Sequence, residues 1–417
     1  IGGSTAAARN LIAGNVNYGI LITDAATSGN VVQNNWIGVD ATGNAALGNG
    51  GFGVVVDMAA STTSILGNVI AGNTATSWSN SRGGVYLYAT GVTLQGNLIG
   101  VGADGSTALP NGGPAALYSG GVLVLDGSSG VLIGGTAPGE GNTIAHSVGP
   151  GVLVGTTSAV TTVLGNRFLG NGGPGIDLGG DGVTPNDAGD GDTGANQLQH
   201  TPVLTVATSG GSGSVSLTGT LDSTPSTTFR LEFYAVPAGA GDASGHGQGR
   251  VLLGTMDVTT SAGGSVSFSA GFAGVAVAAG DLVTATATVK TGASSFGATS
   301  EFSANVTVVN ANVAPVAAAA GGLTSAQRDP PAPRAGASSD ADGPIASYAW
   351  DLDNDGLYGE AGEPVGVAPI VTWAELVAMG IDDDGTYTLG VRVTDDQGAN
   401  SVATTTLTVT NRVPTLG

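Results

Sequence analysis

Cysteine is absent from the 417 residues. That excludes a disulfide framework and thiolate metal sites. Lysine occurs once, at Lys290, and ten basic residues stand against 31 acidic ones for a formal charge of −21. A phosphate backbone needs a Lys/Arg surface, so nucleic acid is excluded as a partner. Aromatic residues are only 5% of the chain, so its cores must be built from Val, Ile, Leu and Ala. No apolar run approaches the roughly 18 residues of a membrane-spanning helix, and no signal-peptide pattern is visible. The chain opens inside a repeat, so it reads as a fragment or a processed product. What it has in excess is glycine, 74 residues, against a usual share of about 7%. With Thr, Ser, Asn and Val, this points to many short strands and turns and little helix.

Two short units recur. The first is a glycine followed by apolar residues: Gly19-Ile-Leu-Ile, Gly53-Val-Val-Val, Gly84-Val-Tyr-Leu, Gly121-Val-Leu-Val, Gly151-Val-Leu-Val and Gly175-Ile-Asp-Leu. The second begins with Asn, at Asn10, Asn35, Asn68, Asn97, Asn142 and Asn166, with steps of 25, 33, 29, 45 and 24 residues. The opening "IGGSTAAARNLIAG" is restated as "IGGTAPGEGNTIAH", Ile1 over Ile133 and Asn10 over Asn142. A short strand cannot bury its apolar face alone, whereas like strands stacked turn upon turn bury a continuous core. Asn at each corner tolerates a left-handed backbone, and stacked Asn side chains can bond along the stack. Residues 1 to about 180 resemble the right-handed parallel β-helix of large bacterial surface and secreted proteins, the hand following from the crossover rule.

The Gly/Asp-rich stretch Gly175–Leu204 ends the solenoid. An alternating Thr/Val/Ser region, 201–310, predicts short antiparallel strands of a sandwich. A Pro/Ala/Gly linker follows. Beyond it come Asp342-Gly343, Tyr348-Ala349-Trp350-Asp351, Gly385-Thr-Tyr387 and Val393-Thr394-Asp395. These resemble a PKD (polycystic-kidney-disease-type) domain, with a short helix expected in an insertion at Thr372–Gly385. "NVAPV" and "NRVPT" look like one inter-domain joint used twice. The expected fold is therefore all-β: a right-handed parallel β-helix (1–185), an acidic joint plus Ig-like β-sandwich (186–310), and a linker plus PKD-like β-sandwich (311–417).

Asp351-x-Asp353-x-Asp355-Gly356 puts carboxylates at alternate positions before a glycine turn, the first half of an EF-hand-like calcium loop. The twelfth position is Gly362, so Glu360 or Glu363 would close the shell. The competing reading is a solvated acidic turn, and the PKD resemblance favours it. Asp187, Asp190 and Asp192 form a second cluster, read either as calcium fastening the solenoid to the next domain or as a flexible acidic linker. Enzymatic readings fare less well. Residues 1–174 contain no lysine, three arginines and six scattered acids, with neither a lyase base beside a uronate site nor the paired carboxylates of hydrolysis. His200 and His246 lack zinc-site partners, and His146, close to Glu140 in sequence, reads as a surface residue at a corner turn. No nucleophile elbow or phosphate loop appears. An uncharged sugar could stack on Trp36, Trp78, Tyr86 or Tyr88.

The sequence thus predicts an extracellular or cell-surface bacterial protein, structural or adhesive, a calcium-stiffened stalk or assembly subunit without catalysis. Its expected partners are copies of itself, surface or matrix components and polysaccharide; an exposed solenoid edge would suit assembly. The alternative is a polysaccharide-active or carbohydrate-binding β-helix. Convergence of Arg82, Asp57 and Asp126 in one groove would favour the latter.

Overall fold

The computed structural model describes residues 1–57, 60–74, 81–113, 118–187, 189–210 and 213–412. Trp78 and the Val-Pro-Thr of the second joint lie outside these. The chain divides into two compact units, 1–310 and 311–417.

In the first unit the two sequence repeats become two of three parallel sheets. The Asn-led units form the six-stranded sheet Leu11–Ile12, Trp36–Ile37, Val69–Ile70, Leu98–Ile99, Thr143–Ala145 and Arg167–Leu169. The Gly-led units form the second, from Ile20–Ile22 through Val54–Val56, Val85–Leu87, Val122–Val124 and Val152–Val154 to Ile176–Leu178. A third sheet of five strands runs from Val31–Gln33 to Thr161–Leu164. Registers stay in step: Ile12 pairs with Ile37, Ile37 with Ile70, Ile99 with Ile144, and Ile144 with Phe168. The restated opening obeys the same register, for Gly2 bridges to Gln33 and thereby falls in the column of Gly134. Three parallel sheets wound turn upon turn make a parallel β-helix. Its core is a stack of branched aliphatics, with Val32, Ile37, Ile65, Ile70, Leu94, Ile99 and Ile133 fully buried.

Strands of two to four residues leave most of each turn to corners, and the corners carry the specificity. Asn35, Asn68, Asn97 and Asn142 are buried. Asn97 Oδ1 accepts from the backbone N–H of Asn68 at 2.9 Å and from its Nδ2 at 3.0 Å. Its own Nδ2 donates to Asn142 Oδ1 at 2.9 Å and to the Ile65 carbonyl at 2.8 Å. The pattern repeats from Asn10 to Asn166. A second ladder links Asn15, Asn49, Asn73 and Asn111 and resumes at Asn171, which accepts from the N–H of Ser147. Glycine turns these corners where nothing else fits. Gly38 and Gly100 have φ of 85° and 82°, and a Cβ on either would strike a carbonyl oxygen of the next rung, Ala71 or Ala145.

The long strands of 203–310 form two sheets. One orders Ser265–Ala273, Ser214–Asp222, Val203–Gly210 and Val309–Asn310; the other Val251–Thr259, Thr228–Val236, Leu282–Lys290 and Phe296–Thr299. Between them lie Val215, Leu217, Phe229, Leu231, Phe233 and Val283. The second unit centres on one four-stranded sheet, Leu323–Ala326, Asn400–Thr410, Gly385–Asp395 and Ile345–Asp351. It packs around Trp350, Leu389, Val391 and Leu407. The insertion is helical at Trp373–Ala378, capped by Thr372 and Glu375 in a reciprocal box. The fold class is thus the all-β one expected, β-helix followed by sandwich-like domains.

The ladder sets a clear expectation. Asn97→Ala strips a buried carbonyl and two buried N–H groups of partners and should cost about 2–4 kcal/mol. Asn10→Ala, at the exposed first rung, should cost well under half of that. Thermal or urea unfolding of both variants checks this; equal small losses would show that the ladder contributes little.

Candidate functional site

The first candidate lies where Ile345–Asp351 leaves its sheet. Among the described residues, one group of three acids has ligand atoms all within 4.8 Å of one another: Asp351, Asp353 and Asp355. Asp351 is 1% exposed, and its Oδ1 is buried without a hydrogen-bond partner. Its Oδ2 accepts from the N–H of Gly356 at 3.0 Å. A buried carboxylate oxygen left bare is costly, and a cation drawn from the acid side would supply what it lacks. Asp353 and Asp355 are exposed. Glu360 faces the same group: its carboxyl is pushed up by desolvation and then by Asp355, Glu363, Asp353 and Asp351. Glu363 is turned inward onto the loop backbone, accepting from the N–H groups of Leu352, Gly359 and Glu360 at 2.6, 3.0 and 3.3 Å. The donor set is all carboxylate oxygen, which is calcium's chemistry. The residues present fit that ion, with Glu360 beside the group and Glu363 holding the loop.

The second cluster is organised by a residue to which the sequence assigns no partner. His200 is buried. Its Nδ1 donates to the Asp222 carbonyl at 2.6 Å. Its Nε2 meets Asp187 Oδ1 at 2.9 Å and the Asp187 N–H at 3.0 Å, with Asp190 Oδ1 at 3.6 Å. The other Asp190 oxygen accepts from the Ser223 hydroxyl. The Asp192 carboxyl is pushed up by burial and by the charges of Asp187 and Asp190, against a lowering effect from His200. His200 and Ser223 clasp this loop to the end of strand Ser214–Asp222. The only sequence signal was an isolated His eight residues past the last acid of an Asp-rich run.

The third arrangement is the joint between solenoid and sandwich. The strand Thr228–Val236 is buried on both faces, as is Leu282–Lys290, where Thr284, Thr286 and Thr288 are inaccessible. The face that a free sandwich would turn to water covers the last solenoid turn. That turn ends in unpaired strand edges, and each receives an acceptor. Val163 N–H donates to Thr299 Oγ1 at 2.9 Å and Gly165 N–H to Glu232 Oε2 at 2.9 Å. Phe168 N–H donates to the Gly249 carbonyl at 2.8 Å, and Leu178 N–H to Glu301 Oε1 at 2.8 Å. Gln248 acts as one more Asn of the second ladder: its Oε1 accepts from Asn171 N–H at 3.0 Å and Nδ2 at 2.9 Å. Below, Phe302 stacks edge-on under Phe168 at 5.4 Å and against Tyr234 at 5.5 Å, so both belong to the solenoid core. Burial holds the Glu232 carboxyl above its ordinary range, against hydrogen bonds from Tyr234 and Gly165. Burial, with Asp177 adding repulsion, pushes Glu301 up to about 7.

The charged residues singled out in the solenoid have separate surroundings. Asp126 accepts from Thr156 and Thr157, Arg82 is buried beside Gly113, and Asp57 lines an aromatic pocket. Glu140 binds the Ala137 N–H, and His146 lies by Arg250, which with burial holds its pKa down.

No family model matches the chain, and no curated protein matches it. Among solved structures, it is similar to the PKD1 domain of Vibrio anguillarum Epp, at 30% identity over 24% of this chain and all of that one, with a TM-score of 0.18. It is also similar to a calcium-stabilised adhesin that helps an Antarctic bacterium reach out and bind ice, at 17% identity over 51% of this chain and 50% of that one, TM-score 0.26. A third similarity is to the two Ig domains of DIP-gamma, at 8% identity over 51% and 99%, TM-score 0.21. The described residues contain no helix long and apolar enough to cross a membrane.

Two expectations follow. Calcium at tenfold its Kd should raise the stability of residues 311–417 by about 1.4 kcal/mol, a rise on the order of 5–10 °C, and Asp353→Asn with Asp355→Asn should abolish it. Equal melting in calcium and chelator would leave the triad an acidic turn. The joint should respond to pH. Glu301 has its folded pKa raised above 4.5 to about 7, so its protonated form favours folding below 4.5 and that contribution is lost as pH rises through 7. The stability of residues 1–310 should therefore fall across this window more steeply in the native chain than in Glu301→Gln. Identical slopes would contradict the assignment.

Proposed function

We propose that this chain is a structural and adhesive protein of the bacterial exterior, a stiff segment that spaces or joins surface components. The observation that carries the reading is the joint. Backbone donors of the last solenoid turn are bonded by side chains and carbonyls of the next domain, and one hydrophobic core passes from one into the other through Phe302 and Tyr234. Such a joint transmits force and orientation, where a flexible linker would absorb them. The second unit adds the acidic triad, read here as a calcium site. Extracellular modules hold calcium at roughly 10⁻⁴–10⁻³ M, an affinity that a partly exposed triad suits and that only the outside of a cell would satisfy. An acidic chain with one lysine also suits that setting.

The test places the full chain on beads and measures retention under flow, on a surface coated with the same chain and on one coated with polysaccharide. Both are run in calcium and in chelator, while the supernatant is assayed for released sugar. The reading expects retention on at least one surface, weaker in chelator, with no sugar released. Release of reducing or unsaturated sugar would replace it with a polysaccharide-active enzyme; no retention on either surface would remove the adhesive role.

A further inference from the structure

The outer face of the Gly-led sheet carries an unusual group for a chain with eight tyrosines in all. Tyr18, Phe52, Asp57, Ser81, Tyr86 and Tyr118, drawn from successive turns, line one pocket of about 190 Å³ with Val55 at its floor. Phe52 and Tyr86 lie 5.2 Å apart, tilted by 54°. The rings sit where glycines leave room: a side chain at Gly51 would run into the Tyr18 ring, and one at Gly83 into Phe52. Tyr18 and Tyr118 remain 37% and 39% exposed at the rim, while Phe52 and Val55 are buried. Rising about 4.8 Å per turn, the stacked strands set an apolar floor edged by hydroxyls and one carboxylate. Burial, and then the charge of Asp57, pushes the Tyr86 phenol up.

We propose that this pocket binds an uncharged saccharide, one ring lying on Tyr18, Tyr86 and Tyr118 with its hydroxyls bonded to Asp57 and the phenols. The chemistry is complementary on each count. A pyranose has C–H faces that pack on aromatic rings, and these rings combine a large apolar area with a polar tip. Its hydroxyls donate to a carboxylate and accept from phenols. Among the described residues that line the pocket none is Lys, Arg or His, and Asp57 together with a chain charge of −21 disfavours uronates, sulfated glycans and phosphates. A quaternary ammonium ion could use the same ring faces and carboxylate, but it has no group to bond the phenol hydroxyls, whereas a sugar's hydroxyls can. The volume lies below the roughly 300–1,000 Å³ of pockets that enclose drug-sized ligands, so one ring is held and a longer chain would lie across the rim. The inference goes beyond the structural reading, because a stalk needs no such pocket.

The experiment is saturation-transfer NMR of the full chain. Its probes are neutral gluco-, manno-, galacto- and N-acetylglucosamine oligosaccharides, with oligogalacturonate and choline as charged comparisons. Binding of at least one neutral oligosaccharide is expected, weakened tenfold or more by Tyr118→Ala and by Asp57→Asn, and less by Tyr86→Phe. Melting temperatures identify any variant that fails to fold, and the remaining two then decide. Absence of transfer to every neutral sugar, equal binding by the folded variants, or preference for choline or oligogalacturonate would each overturn the proposal. A chain that binds no sugar yet is retained on its own coating loses the pocket assignment and keeps the structural one.

Discussion

A strand two or three residues long cannot protect its own backbone. In residues 1–310 each such strand is safe only because the turn above and the turn below supply hydrogen-bond partners, and the buried asparagines do the same for the corners between strands. The requirement ends only where the solenoid ends. There the last turn would present three open edges, and the following sandwich meets them with Thr299, Glu232, Glu301 and the Gly249 carbonyl. Gln248 extends the second Asn ladder by one more rung. The demand for backbone satisfaction thus turns two domains into one body, and it explains why carboxylates as buried as Glu232 and Glu301 are tolerated: each accepts from a solenoid N–H, Gly165 or Leu178, at the open end of the last turn.

Much of this was legible beforehand because it depends on residues at fixed spacing. The Asn steps and the Gly-led apolar triplets gave two of the three sheets, rung by rung, and the departure from the PKD pattern at Thr372–Gly385 marked the short helix. The second ladder was hidden. Its members Asn15, Asn49, Asn73 and Asn111 precede no apolar triplet, and Ser147 interrupts the series. The joint was hidden for a stronger reason. Glu232, Gln248, Thr299 and Glu301 are 67 to 136 residues from the amides they serve. In sequence Glu232 is an ordinary polar position of an alternating strand, and only the packed solenoid end reveals that its outward face is interior.

The candidate sites divide the same way. Asp351, Asp353 and Asp355 are two residues apart, so their convergence follows from local turn geometry and the spacing announced it. The acids at 187–192 depend on His200, whose ring is fixed by a carbonyl 22 residues further on. The tyrosine pocket depends on turns whose loops differ in length, so its members show no period. Local chemistry is written in spacing; chemistry assembled across turns is written only in register.

The central claim is that solenoid and sandwich are one cooperative body held by side chains capping the last turn. Amide hydrogen exchange on the full chain tests it most directly. The N–H groups of Val163, Gly165, Phe168 and Leu178 should be as strongly protected as those of Val122–Val124 inside the solenoid and of Phe229–Phe233 inside the sandwich, all opening with a common free energy. Fast exchange at those four amides while both interiors stay protected would mean that the two domains merely touch, and would contradict the account.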